Sequence, residues 1–118
     1  MVNITAASFK SLMNDADADE EKMESVIDAA INMLNLYGAE LPNMTGTAGT
    51  KTVSLESKQA GAVQLVAEVI YNDFYKGIEA TSVGGIAISK TVLLANPTVM
   101  ACVKEAARRL TEIEVDVG

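Results

Sequence analysis

The side chains that could do chemistry in this sequence are few, and a single cysteine is the first to consider. Cys102 would need a neighbouring base to act as a nucleophile, and the chain contains no histidine, the commonest such base. Cys102 also stands between Ala101 and Val103, a setting typical of a buried, inert thiol. The sequence therefore predicts no catalytic nucleophile, and a lone cysteine excludes an intrachain disulfide.

Metal binding has one weak candidate, the acidic run over residues 15–20. Its alternating Asp15, Asp17 and Asp19 resemble the start of a calcium loop. The run lacks the glycine expected at the sixth position, and Val26 stands where the twelfth-position glutamate belongs. With no Cys/His cluster for zinc, we expect no metal, no cofactor and no enzymatic activity. The acids are better explained as caps and first-turn residues of a helix.

Charge also limits the classes of partner. Sixteen acidic and nine basic residues give a net charge of -7, and affinity for nucleic acid depends on Lys and Arg that neutralise phosphates. Arg108 and Arg109 are adjacent, but Glu105 and Glu112 stand at helical spacing and predict ion pairs on a solvated surface. We expect no sequence-specific contact with nucleic acid. No apolar run is long enough to span a bilayer and no secretory signal pattern is present, so we expect no membrane association and an intracellular, reducing compartment.

Helices must position whatever surface the protein uses. Apolar residues at three- and four-residue intervals predict helices over residues 5–14, 19–37, 54–76 and from Asn96-Pro97 onward. Thr5, Asp17 or Asp19, and Asn96 are candidate N-caps, and Gly38 fits a left-handed C-terminal position. The third helix is apolar on more than one face, which predicts either a central core helix or one sandwiched between subunits.

Three segments interrupt the helices. Residues 39–54 contain Pro, Gly and Thr and predict a long loop that orders on assembly, with residues 50–55 able to add as a strand to a partner's edge. Gly84-Gly85 lacks the flanking pattern of a phosphate-binding loop and predicts the turn of a hairpin over residues 81–89. Residues 114–118 are expected to be mobile unless a neighbour holds them.

Together these elements predict a single domain over residues 1–118. It is mainly α, a small helical bundle of about four helices with a long middle loop and a short β-hairpin. The apolar residues of the loop, the third helix and the hairpin are the candidate contacts with other subunits or partners: Met44, Thr45, Val53, Leu55, Val66, Ile70, Phe74, Val83, Gly84, Gly85, Ile86 and Ile88.

The order of these segments resembles the small head–tail connector proteins (adaptor or head-completion proteins) of tailed viruses. The resemblance is carried by the acidic entry and amphipathic helix over residues 19–38, a variable loop, the apolar helix 65–75 that ends in aromatic residues, the Gly-centred segment 82–89, and a closing helix from Asn96-Pro97. It covers roughly residues 10–112 and rests on patterns rather than on signature motifs.

What the resemblance implies is a structural virion protein without catalytic residues. Such a protein would form a ring at the head–tail junction, after synthesis in the host cytoplasm. The ring, expected to be dodecameric, would dock under the portal protein, contact tail or neck proteins and line the DNA channel.

Two other functions stay open on the sequence alone. One is a cellular helical interaction or regulatory module that dimerises through the third helix, in which case Asp at positions 66 and 70 should split the dimer without unfolding the chain. The other is a small enzyme that uses converging carboxylates, with or without Mg²⁺, which requires a cleft holding at least two acids.

Overall fold

The computed structural model describes residues 1–14, 19–74 and 93–111. Their elements, in chain order, are β1 (Val2–Thr5), α1 (Ala6–Met13), α2 (Glu20–Leu36), β2 (Thr52–Leu55), α3 (Ser57–Phe74) and α4 (Pro97–Thr111). The predicted mainly α fold with about four helices is confirmed.

The helices begin where local sequence offers a cap. The side-chain oxygens of Thr5, Asp19 and Asn96 each accept a hydrogen bond from the backbone N–H three residues on, at 3.0, 3.1 and 3.0 Å. Each bond satisfies an N–H group that has no partner inside its helix. After α2, Gly38 has a φ of 94°, the left-handed conformation predicted for this position.

Helices α2, α3 and α4 pack against one another, α3 also contacts both strands, and α1 packs against α2. The buried stripe of α3 is Ala60, Val63, Val66, Ala67 and Ile70, all at most 2% exposed. Branched aliphatic residues dominate the core, so its stability comes mainly from removal of apolar surface from water. The largest fully enclosed side chains of the whole core are Phe9, Ile4, Met23, Ile27, Ile31, Met33, Leu34, Leu55 and Ile70.

A two-stranded antiparallel sheet covers part of α3, and its pairing corrects one expectation. Strand β2 pairs with β1 of the same chain, with Ile4 opposite Val53. Thr52–Leu55 therefore form a strand within a single chain, without an edge from a partner. Strand β1 was not predicted, because four residues carry too short a pattern to separate a strand from a helix lead-in.

The loop between α2 and β2 is also held within the single chain. The Asn35 side chain bonds both the N–H and the C=O of Leu41, at 2.7 and 2.9 Å. Asp28 Oδ1 accepts from the Met44 N–H at 3.0 Å. The expectation that residues 39–54 order only on assembly is therefore wrong: helix α2 supplies the partners that this backbone needs.

Other predictions lie outside the described residues. They concern the hairpin 81–89, the Asp17 cap and the tail 114–118. Among the helices that the structure describes, none has the length and hydropathy needed to cross a bilayer.

Candidate interaction surface

Five of the predicted interface residues are buried inside one chain, and this is a correction. Met44, Val53, Leu55, Val66 and Ile70 are at most 6% exposed. Val53 and Leu55 alternate with exposed neighbours on β2, so strand geometry turns both side chains to the core. Val66 and Ile70 lie on the face of α3 that meets the other helices. None of the five offers surface to a partner in this fold.

Of the remaining predicted residues, one is exposed, and the side chains of the others lie outside what the structure describes. Thr45 is exposed, and its backbone forms an isolated antiparallel bridge with Thr52. Phe74 is the last residue of α3, and the expectation for its side chain lies outside what the structure describes. The same holds for Val83, Gly84, Gly85, Ile86 and Ile88.

A second face of α3 does reach the surface. Leu65 is 50% exposed, although it lies on the same helix as the buried stripe. Together with Lys58, Ala62, Ala106, Arg109 and Leu110 it lines a groove of about 240 Å³ between α3 and α4. We call these six residues the α3/α4 groove.

The groove is apolar along its floor and cationic at its rim. Ala62, Leu65, Ala106 and Leu110 supply the apolar lining. Lys58 is exposed and has no acidic partner among the described residues. We take this accessible apolar groove as the candidate contact surface of the described residues.

Sequence reasoning found the groove only in part. The excess apolar surface of α3 was recognised, but it was assigned to Val66, Ile70 and Phe74. Leu65 falls outside the spacing of the buried stripe, and this offset was the available signal. The contribution of α4 could not be foreseen, because it depends on how the two helices pack.

Electrostatics on α4 follow from one carboxylate shared by two arginines. Glu105 accepts hydrogen bonds from Arg108 at 2.8 Å and from Arg109 at 2.9 Å. These two bonds lower the pKa of Glu105 to about 2. The predicted i,i+3 and i,i+4 ion pairs of Glu105 are thus present on the exposed face of the helix, and the pairs predicted for Glu112 lie outside the described residues. Arg109 makes no described hydrogen bond through its terminal Nη atoms.

Helix α2 presents a buried acid that is used structurally. Glu24 is only 3% exposed, and its two carboxylate oxygens accept from the backbone N–H groups of Gly49 and Lys51 at 2.8 and 2.9 Å. Both oxygens are therefore occupied. One sign of this role is present in the sequence, because Glu24 stands beside Met23 and one turn before Ile27 on a helix that is otherwise apolar at this face.

Chemical reactivity has little support in the described part of the chain. Partial burial, and secondarily the charge of Glu68, raise the pKa of the Cys102 thiol, so the thiolate is disfavoured. No group of three or more His, Cys, Asp or Glu side chains within residues 1–14, 19–74 and 93–111 could hold a metal ion.

Comparison with protein-family models, curated proteins and solved structures finds no significant match. The groove and the charge pattern are therefore interpreted on their own chemistry.

Proposed function

We propose that this chain is a structural subunit of a tailed virus, a head–tail adaptor that forms a ring between portal and tail and lines the DNA channel. The observation that carries the proposal is the α3/α4 groove, an apolar surface left open beside the buried stripe of α3. A subunit that works by packing against other subunits needs such a surface.

The geometry of a ring adds a requirement that this surface can meet. In a closed ring each subunit uses one face to contact a different face of the next. The groove occupies one side of the molecule, between α3 and α4, which leaves other surfaces to act as its complement. The order of segments from residue 19 to the α4 helix, which resembles the connector family, supports the same assignment.

Net charge supports a place beside DNA without binding to it. An excess of seven negative charges repels phosphates at physiological salt. A channel wall of this sign lets DNA pass without adhering. The dodecameric state is part of the proposal and follows from the resemblance alone.

The test is the mass of the full chain in solution. Size-exclusion chromatography with light scattering, over a range of concentrations, should reveal ring-sized assemblies either alone or after addition of the portal protein encoded in the same genome. Negative-stain electron microscopy should then display closed rings.

Two results would oppose the proposal. A chain that stays monomeric at every concentration and ignores the portal protein would refute it. A particle of two subunits under all conditions would favour the cellular homodimer instead. The neighbouring genes offer an independent check, since a connector gene is expected beside portal, capsid or tail genes.

A further inference from the structure

The α3/α4 groove has the size and lining to accept apolar side chains. Its volume of about 240 Å³ exceeds the roughly 150 Å³ of an apolar cavity that holds benzene. Leu65, at 50% exposure, would gain from being covered. At the rim, Lys58 and Arg109 add positive charge on opposite helices. An occupant should therefore be apolar along one side and acidic along the other.

One segment of this chain has that composition. Residues 112–118 read Glu-Ile-Glu-Val-Asp-Val-Gly and follow directly after α4. In an extended conformation Ile113, Val115 and Val117 would share one face, because successive side chains of a strand point to opposite sides. The acids at 112, 114 and 116 would share the other face. This alternation complements both the floor and the rim of the groove.

Length is also sufficient. Seven extended residues span roughly 23 Å, whereas Lys58 to Leu65 on α3 covers about 10 Å of helix. The segment can therefore lie along the groove and contact both of its ends.

We expect residues 112–118 to occupy the groove of a second copy rather than the groove of their own chain. The groove is lined by Arg109 and Leu110, so residues 112–118 would have to reverse direction at once to cover it in their own chain. Residues 112–115, where the reversal would have to occur, contain no Gly, Pro, Asn, Asp or Ser, the residues that favour a tight turn, and Ile113 and Val115 are β-branched and favour an extended chain.

We propose that residues 112–118 of one copy seat in the α3/α4 groove of the next copy, with Ile113, Val115 and Val117 against the apolar floor and the acids toward Lys58 and Arg109. This inference rests on the proposed function and deepens it, because it names the contact that joins neighbouring subunits. Segment and groove are different surfaces, so the contact is heterologous and can close a ring.

A labelled peptide tests the contact separately from ring formation. A synthetic peptide of residues 111–118 with an N-terminal fluorophore would be titrated with the full chain, and its fluorescence anisotropy measured. We expect saturable binding that Leu65→Asp weakens by about tenfold or more. Leu12→Asp is the matched control, because Leu12 on α1 is 52% exposed, and it should leave binding unchanged.

The contribution of charge to peptide binding is tested by exchanging the signs of the charges on the groove and on the peptide. Lys58→Glu should weaken binding about threefold at low salt, with a smaller effect at about 0.5 M salt, where surface charges are screened. A peptide carrying Glu114→Lys and Asp116→Lys should recover affinity for the Lys58→Glu chain and lose it for the unaltered chain. Such reciprocity would locate the segment beside Lys58.

The outcomes separate the inference from the proposed function. Rings by light scattering that form unchanged with Leu65→Asp, or peptide binding that Leu65→Asp leaves intact, would overturn this contact and leave the adaptor function standing. A monomeric chain that excludes the peptide would mean that the segment covers its own groove, which also overturns the inference. Peptide binding that follows the predicted variants supports it.

Discussion

At the scale of single residues, the polar side chains of α2 determine how the long loop is held. Glu24, Asp28 and Asn35 lie along this helix and bond the backbone of residues 41–51. A carboxylate that accepts two backbone N–H groups in a buried site contributes more than a neutral hydrogen bond, because its removal leaves both donors without a partner. Glu24 is therefore a structural acid.

We expect Glu24→Ala to lower the free energy of unfolding by about 1–3 kcal/mol, because two partly buried N–H groups would lose their acceptor. Glu24→Gln should cost less, since the amide oxygen can still accept one bond. Urea denaturation would measure both changes, and amide hydrogen exchange should accelerate at Gly49 and Lys51. Ser25→Ala, at an exposed neighbouring position, is the control and should stay within about 0.5 kcal/mol of the unaltered chain. Equal effects at positions 24 and 25 would contradict the assigned role.

The shared carboxylate of Glu105 gives a prediction about pH. Its pKa of about 2 lies below the ordinary value of a glutamate because Arg108 and Arg109 donate to it. A depressed folded-state pKa gives stability that is present above the unfolded pKa, near 4.3, and is lost as the pH falls through about 2. Since this side chain is solvent-exposed, salt should screen the effect.

A carbon-detected NMR titration should find the Glu105 midpoint near 2. Combined Arg108→Ala and Arg109→Ala substitution should raise that midpoint toward the ordinary value. A midpoint that ignores both arginines would mean that the hydrogen bonds do not persist in solution.

At the scale of elements, α3 has one face that is buried in the core and another that is exposed to solvent. Ile70 and its stripe are enclosed by the neighbouring elements, whereas Leu65 stays half exposed in the groove. The same helix therefore serves the core and the surface. This division decides between two readings of its apolar excess: most of it builds the monomer, and the remainder is available to a partner.

Ile70→Asp and Leu65→Asp should consequently differ sharply. An unpaired charge at a fully buried position costs several kcal/mol, a large share of the 5–15 kcal/mol that holds a typical domain together, so Ile70→Asp should unfold the chain. Leu65→Asp should keep a helical circular dichroism spectrum and a cooperative thermal transition. If Ile70→Asp gave a folded monomer from a dimer, the dimerising role of this face would be reinstated.

At the scale of the whole molecule, acidity and an open apolar groove act together. In the proposed adaptor, the negative charge would repel nucleic acid, and the groove would be the place where copies associate. The proposed ring around DNA would use both properties.

We expect no measurable binding of the full chain to a short DNA duplex at physiological ionic strength, because phosphate contacts would be repulsive. Fluorescence anisotropy with a labelled duplex would test this, and the prediction extends to any ring that the chain forms. Micromolar binding that weakens with added salt would reveal a basic surface and contradict a passive channel wall.

The sequence alone determined the elements whose signals are local. The caps at Thr5 and Asn96 and the left-handed Gly38 act within one helical turn, so residue type and spacing suffice to place them, whereas the sequence left the cap of α2 open between Asp17 and Asp19. The Glu105 ion pairs are of the same kind, because their partners stand three and four residues away.

Only the tertiary structure decided which residues face outward. Strand β1 is defined by pairing Val2 with Leu55, and Glu24 meets its loop partners 25 and 27 residues later in the chain. Whether an apolar side chain of α3 is covered depends on which helix packs over it. That packing brings together residues that are far apart in the sequence. For this reason the sequence could predict an apolar excess on α3 but could not assign it to Leu65 rather than to Val66 and Ile70.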